Sequence, residues 1–316
     1  MKSQILFPGL FCVLVLTLAW PAMAQPGTND YLTSGRAKFQ AGNLEGALAD
    51  LEKAVELKPD DAFTRMACGI AMVQKGDLAG ALTNFDKAIE LKPDLTEAYT
   101  LRGKLKLRQG DFTGALADYD KAIELDPSSW QSYYARGVLK WRKADLNGAL
   151  ADYNKVIGLT PNCEPAFLGR GEIKRLQNDP EGALADFRKA SELQPGDADA
   201  FIGTGSVKQG KGDLDGALAD FNQAIKLKPN SADAYKDRGV TRARRGEMAE
   251  ALADENKAIE LSPNFASAYF MRSGVKQVGG DLNGALADAE KAVALDPNNQ
   301  NYQAARDAIQ TQLQNK

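Results

Sequence analysis

The chain of 316 residues carries 39 basic and 42 acidic side chains, a formal net charge of −3, and no histidine. This balance disfavours nucleic acid as a partner, because phosphate binding needs a basic face. The lack of histidine removes the commonest general base and the commonest metal ligand, which disfavours an enzyme or a metal site.

The N-terminus has the pattern of a secretory signal peptide. Lys2 supplies the positive start, an apolar run extends from Ile5 to Trp20, and the small residues Ala22 and Ala24 suit cleavage. Proline and glycine interrupt the run at positions 8 and 9, which disfavours an uncleaved membrane span. We predict a signal peptide over residues 1–24 and a mature chain that begins at Gln25, periplasmic or secreted, with no membrane span.

The rest of the chain repeats with a fixed period. A line such as Gly110–Pro127, GDFTGALADYDKAIELDP, recurs without insertion or deletion. A fixed period of 20–50 residues is the sequence signature of a repeat architecture. The prolines that close the copies lie 34 residues apart: Pro59, Pro93, Pro127, Pro161, Pro195, Pro229, Pro263 and Pro297.

Each copy reads as two helices joined by a tight turn. In the copy that ends at Pro127, we expect a first helix over about 97–109 and a second over about 113–125. Gly110 suits a left-handed helix end, and Asp111 suits the N-cap of the next helix. The corresponding caps are Asn43, Asp77, Asp145, Asp179, Asp213, Glu247 and Asp281. Small residues recur at the places of Gly103 and Ala115, so we expect the paired helices to approach closely.

This pattern resembles the tetratricopeptide repeat (TPR) family over residues 28–297. Aromatic residues stand at the family's two aromatic places, as Tyr99 and Tyr119 do. Arg65 replaces the first aromatic once, and Glu255 and Ala289 replace the second. The eight repeats are 28–61, 62–95, 96–129, 130–163, 164–197, 198–231, 232–265 and 266–299. The resemblance implies an all-α, right-handed superhelical solenoid of antiparallel helix pairs.

Residues 298–316 follow the last closing proline. Tyr302, Ala305, Ile309 and Leu313 form one narrow apolar stripe in a polar segment. We predict a C-terminal capping helix, because the last repeat would otherwise leave an apolar face in water.

Charged residues recur at two places of the first helix. Arg102 has counterparts in four other repeats, each with an aspartate sixteen residues later, as Asp118 is. The second repeat has Cys68 and Asn84 instead, and this paired absence favours an Arg–Asp bridge over an anion-binding arginine ladder. We interpret a second row of first-helix lysines as a solvated face: Lys38, Lys106, Lys140, Lys174, Lys208 and Lys276.

A denser basic cluster lies in the seventh repeat: Arg238, Arg242, Arg244 and Arg245. It could dock an acidic ligand, but Asp233, Asp237 and Glu247 are close enough in sequence to neutralise much of it. Of the cysteines after the leader, we expect Cys68 to be buried, whereas Cys163 lies in a turn and could be an exposed thiol. They lie three repeats apart, too far for a disulfide.

The resemblance also implies a partner-binding groove lined by the first helices. In repeats 1–4 this places an apolar and aromatic track there: Phe39, Phe63, Met66, Ile70, Val73, Lys104, Leu107, Tyr134, Val138 and Trp141. Contiguous exposed apolar area and aromatic anchors usually mark an interaction site. The alternative is that several of these side chains pack between repeats as core. The later repeats turn polar, with Glu172, Arg175, Asp199, Ser206, Gln209, Asp233 and Lys236.

Other functions are not favoured. Glu97 and Leu101 stand where TPR domains that hold a chaperone's C-terminal carboxylate need lysine and arginine. We find no catalytic constellation, cofactor-binding loop or metal-ligand cluster, so we expect neither an enzyme nor a cofactor. The favoured hypothesis is a protein–protein interaction scaffold that binds an extended peptide or helix of another protein. A self-associating solenoid, which would be a homo-oligomer, and a noncatalytic subunit of an envelope complex stay open.

Overall fold

A computed structural model describes residues 29–315, and every regular element in that range is an α-helix. The predicted leader, residues 1–24, lies outside the described residues. The helices are α1 (Asn29–Gln40), α2 (Leu44–Leu57), α3 (Ala62–Lys75), α4 (Leu78–Leu91), α5 (Thr96–Arg108), α6 (Phe112–Leu125), α7 (Trp130–Arg142), α8 (Leu146–Leu159), α9 (Glu164–Leu176), α10 (Pro180–Leu193), α11 (Ala198–Lys211), α12 (Leu214–Leu227), α13 (Ala232–Arg244), α14 (Met248–Leu261), α15 (Ala266–Val278), α16 (Leu282–Leu295) and α17 (Gln300–Gln314).

The chain divides into two compact units. The first ends at Ala166 and contains α1–α8, and the second begins at Phe167 and contains α10–α17. Within each unit the two helices of a repeat pack together, as α5 and α6 do, and the second helix packs on the next first helix, as α6 does on α7. The predicted all-α repeat fold is confirmed.

The turn between paired helices forms as the sequence predicts. Gly110 has a φ of +83°, and the carboxylate of Asp111 accepts a hydrogen bond from the backbone N–H of Gly114 at 2.8 Å. The same cap forms in every repeat but the seventh, where Glu247 makes no side-chain cap. Ala144 takes the left-handed place in the fourth repeat at a φ of +61°.

Paired helices approach closely at the small residues. A Cβ on Gly103 would lie 2.7 Å from Cε1 of Tyr119, a ring that is fully buried under α5. Ala115 is also fully buried. In the first six repeats the core is therefore one ring or aliphatic side chain packed against small residues, with little room for a larger one. The seventh repeat has Glu255 in place of that side chain, and the eighth has Ala289 with Ser273 in place of the glycine.

The C-terminal segment folds as the helix that its apolar stripe predicts. On α17, Ile309 is 1% exposed and packs with Ala285 and Ala289 of α16, and Leu313 packs beside them. The rings of Tyr302 and Phe270 lie 5.0 Å apart. This helix covers the apolar face that α16 would otherwise expose.

Both described cysteines are free and buried. Cys163 is not exposed: it directly precedes α9, interacts with the backbone of Ala166 in the first turn of that helix, and is 7% exposed. Burial raises the pKa of both thiols, to about 11 for Cys68. Neither has the electropositive, open surroundings of a reactive cysteine.

Candidate partner-binding groove

All ten residues of the predicted apolar track lie on α1, α3, α5 and α7, the first helices of the unit that ends at Ala166. Met66 and Val138 are buried, at 4% and 6% exposed. These two therefore support the wall of the groove. The other eight are half-buried: Phe39, Phe63, Ile70, Val73, Lys104, Leu107, Tyr134 and Trp141.

The half-buried apolar side chains pack partly on the core. Phe63, Ile70 and Val73 contact the cluster that contains Met66, whereas Phe39 and Leu107 contact the clusters of the adjoining repeats. Each keeps part of its surface open. The track is thus neither a fully exposed patch nor simple core, and its assignment to partner binding stays a prediction.

The aromatic end of the track is held in place by a buried ring. Tyr134 and Tyr153 have ring centroids 5.8 Å apart at an angle of 46°. Tyr153 of α8 is 1% exposed, and burial raises the pKa of both phenols. A half-open tyrosine fixed by such a contact loses little further rotamer freedom when it contacts a ligand.

Lys104 is the one charged member of the track. It lies on α5 at the repeat place that Ile70 occupies on α3 and Val138 occupies on α7. Burial lowers the pKa of its ammonium to about 8. A cation thus lies between apolar side chains at the same place of the two adjoining first helices.

Comparison with known proteins identifies the repeat. The family described as TPR repeat matches residues 35–76, 69–110 and 103–143, and families described as tetratricopeptide repeat match residues 131–163 and 202–264. The chain belongs to the tetratricopeptide repeat family. Members of this family bind other proteins, so the chain is a protein-binding repeat protein.

Solved TPR structures share the fold at low sequence identity. A tetratricopeptide repeat protein from Parabacteroides merdae is 23% identical, covers 79% of this chain and 98% of its own, and has a TM-score of 0.67. A chain of the anaphase-promoting complex tetramer Cut9–Hcn1 is 15% identical and has a TM-score of 0.69. The match covers 88% of this chain and 55% of that one. PilW, a type IV pilus biogenesis factor, is 19% identical, covers 67% of this chain and 98% of its own, and has a TM-score of 0.61. No curated protein matches the chain.

The arginine–aspartate pairs of these TPR units are structural. Arg102 donates from Nε and Nη2 to both carboxylate oxygens of Asp118, at 2.9 and 2.6 Å, and from Nη1 to Asp86 of the preceding repeat at 2.7 Å. Its guanidinium also lies 5.5 Å from the ring centroid of Tyr99. The predicted bridge is confirmed, and it extends to a second helix that the prediction did not include. Each arginine is thus committed to its own repeat and its predecessor, which leaves no anion-binding ladder.

The interpretation of the lysine row as a solvated face is wrong. The Nζ of Lys106 lies 2.9 Å from Oδ2 of Asp118, the same buried carboxylate that Arg102 holds. A buried carboxylate with two cations is far less costly than one with none. The sequence already indicated these ion pairs, because an aspartate stands twelve residues after each lysine of the row. The other pairs are Lys38–Asp50, Lys140–Asp152, Lys174–Asp186, Lys208–Asp220 and Lys276–Asp288.

The basic cluster of the seventh repeat is also used internally. Arg238 and Arg242 both contact Asp254, Arg245 contacts Asp215 and Glu247, and Arg244 donates to the backbone oxygen of Gln209. Glu247 neutralises part of the cluster as expected, but Asp254 and Asp215 act in place of the predicted Asp233 and Asp237. The cluster therefore does not form an open acidic-ligand site.

Polar side chains on the later first helices are partly paired, either within one helix or between neighbouring ones. Arg175 pairs with Glu172, and Nζ of Lys236 lies 2.9 Å from Asp237. Gln209 donates to Thr241 at 2.7 Å. Burial is the largest cause that raises the pKa of Asp199 and Asp233, and the charges of Lys228 and Lys236 oppose it only in part.

No group of three or more histidine, cysteine or acidic side chains between residues 29 and 315 has the arrangement of a metal site. In the same range no helix has both the length and the apolar character that a membrane span needs.

Proposed function

We propose that the chain is a noncatalytic scaffold that binds an extended or helical segment of another protein in the groove of α1, α3, α5 and α7. The support is a row of half-open apolar and aromatic side chains on four successive first helices of one compact unit. Rigid aromatic side chains such as Tyr134 and Trp141 are the usual carriers of binding energy in such sites. We assign it no catalytic role.

The test is affinity capture with residues 25–316 beside a variant carrying Val73→Ser and Trp141→Ala. Both side chains are half-buried, so these truncations should leave helicity by circular dichroism unchanged. Met66 is unsuitable, because a polar residue at that buried site would unfold the repeat. We expect a partner, identified by mass spectrometry and then purified, to bind the double variant at least tenfold more weakly.

A matched control is Val278→Ser, which changes a side chain that is 70% exposed and lies outside the groove. It should bind the partner as the wild type does. Equal binding by the groove variant and the wild type would move the site elsewhere. Absence of any heterologous partner, together with a dimer or larger species in sedimentation, would favour self-association. A partner that is an envelope enzyme would make the chain its noncatalytic subunit.

We also propose that the protein acts in the periplasm or as a secreted protein. The support is the charge, apolar run and cleavage pattern of residues 1–24. N-terminal sequencing of the protein recovered from the cell envelope or medium should give Gln25 as the first residue. Recovery from the cytoplasm with Met1 intact would contradict this.

A further inference from the structure

Lys104 differs from the other cations of its own helix. On α5, Arg102 and Lys106 both contact the buried Asp118. Lys104 lies on the opposite, groove-facing side and forms no hydrogen bond or ion pair with any residue in the described range, 29–315. Its charge is therefore the one on this helix that is half-buried and uncompensated.

The surroundings of Lys104 offer no acceptor. The equivalent places on the neighbouring first helices are the aliphatic Ile70 and Val138. One turn before it, the hydroxyl of Thr100 is already bonded to the backbone oxygen of Thr96 and to Ser132, at 3.2 and 2.7 Å. Glu97, two turns before it, is exposed and does not contact it. Burial alone accounts for the lowered pKa of the lysine.

An uncompensated ammonium in such a place lowers the stability of the free protein. Partial desolvation costs free energy that an opposite charge with good geometry recovers. The free energy regained by such a charge pair is larger in a partly dry groove than on an open surface, because water and salt screen the two charges less there. A ligand with a carboxylate opposite Lys104 therefore gains affinity that a neutral ligand does not.

The position of Lys104 within the track indicates where that carboxylate lies in the ligand. Apolar groove residues continue on both sides of it, with Phe63 and Ile70 on α3 and Tyr134 and Trp141 on α7. A segment that covers both sides crosses Lys104 in mid-length. This favours an internal glutamate or aspartate over a chain terminus.

We propose that the groove binds a segment of another protein in which an internal acidic side chain, flanked by apolar residues, contacts the ammonium of Lys104. The proposal rests on the function proposed above and adds the chemical class of the ligand. It accounts for a lysine at a place where the adjacent repeats carry isoleucine and valine.

The test is selection of a random library of 12-residue peptides on residues 25–316 and on Lys104→Met, which keeps the length of the side chain without its charge. We expect wild-type selection to enrich a central acidic residue flanked by apolar ones, and Lys104→Met to enrich the apolar residues alone. A selected peptide and its Glu→Gln counterpart should differ in affinity by about tenfold or more on the wild type, and little on Lys104→Met.

Two further variants separate charge from structure. Lys104→Arg keeps the charge and should keep the acidic preference. Lys75→Met, which removes an exposed lysine at the end of α3, should also keep it. Apolar peptides without acidic enrichment, or the same enrichment on Lys104→Met, would overturn the role of Lys104 while leaving the groove intact. Recovery of no peptide on the wild type would overturn both proposals.

Discussion

At the scale of single residues, each second-helix N-cap depends on a glycine three positions later. A Cβ on Gly114 would collide with the carboxylate of Asp111 that caps α6. The same aspartate or asparagine and glycine stand together in seven repeats. In the seventh repeat both change, to Glu247 and Glu250, and the side-chain cap is lost. The capping residue and the glycine three positions after it therefore change together.

Gly114→Ala should not give the gain of about 0.5–1 kcal/mol that alanine usually brings to a helix. Loss of the cap costs about 0.5–2 kcal/mol, so the urea midpoint should stay level or fall. Gly274→Ala is the matched control, because it lies inside α15 where an added Cβ meets nothing within 4 Å. That control should raise the midpoint. A gain of equal size from both substitutions would contradict the coupling.

Glu255 departs from the repeat pattern by placing a carboxyl group in the core. It stands where the other repeats carry a buried aromatic or aliphatic side chain, is fully buried, and neither carboxylate oxygen has a hydrogen-bond partner. Burial raises its pKa to about 9, which Lys236 and Arg272 oppose and Asp237 and Asp254 favour. The side chain is thus a neutral acid in the folded protein at neutral pH.

Stability should therefore fall with rising pH across a defined window. The folded state holds a proton that the unfolded state loses above pH 4.5, so unfolding releases a proton between pH 4.5 and about 9. The slope from this group is at most about 1.4 kcal/mol per pH unit. Glu255→Gln removes it, and urea midpoints at pH 6 and pH 8 should then differ less than in the wild type. Equal differences in the two proteins would argue against a protonated Glu255.

At the scale of helices, an arginine bridge connects a repeat to the one before it, as in the third, fourth, seventh and eighth repeats. Arg136 repeats the geometry of Arg102, with Asp152 on its own second helix and Asp120 on the preceding one. The second repeat lacks this connection, since Cys68 and Asn84 occupy the two places. Glu52 of α2 nevertheless interacts electrostatically with Cys68, at the place where Asp86 meets Arg102.

A double substitution, Cys68→Arg with Asn84→Asp, should rebuild the missing bridge. Asn84→Asp alone buries a carboxylate that has no cation and should cost about 3 kcal/mol. Adding Cys68→Arg should recover much of this, with a coupling of about 0.5–3 kcal/mol in a double-mutant cycle of unfolding free energies. Additive effects of the two changes would show that the bridge does not form.

At the scale of the whole chain, the helix pairs were predictable and the use of their charged side chains was less so. The spacing of prolines, caps and small residues places α5 within one residue of its expected range. The row of lysines was misread, because a first-helix lysine looks solvated until Asp118 is known to lie behind it. The sequence pattern also did not show that Met66 and Val138 are buried. A first helix carries both core-facing and groove-facing positions, and only the packing of neighbouring helices distinguishes them.

The spacing of the bridges allows the chain to lose or gain only whole repeats. Each arginine meets one partner sixteen residues before it and another sixteen residues after it. Deleting residues 96–129 brings Asp86 to sixteen residues before Arg136, so every remaining bridge keeps both partners. We expect that shortened chain to fold with the helicity per residue of the parent by circular dichroism. Removal of 33 residues from the same place should instead shift the register and unfold the junction, so growth by duplication is permitted and gradual insertion within a helix is not.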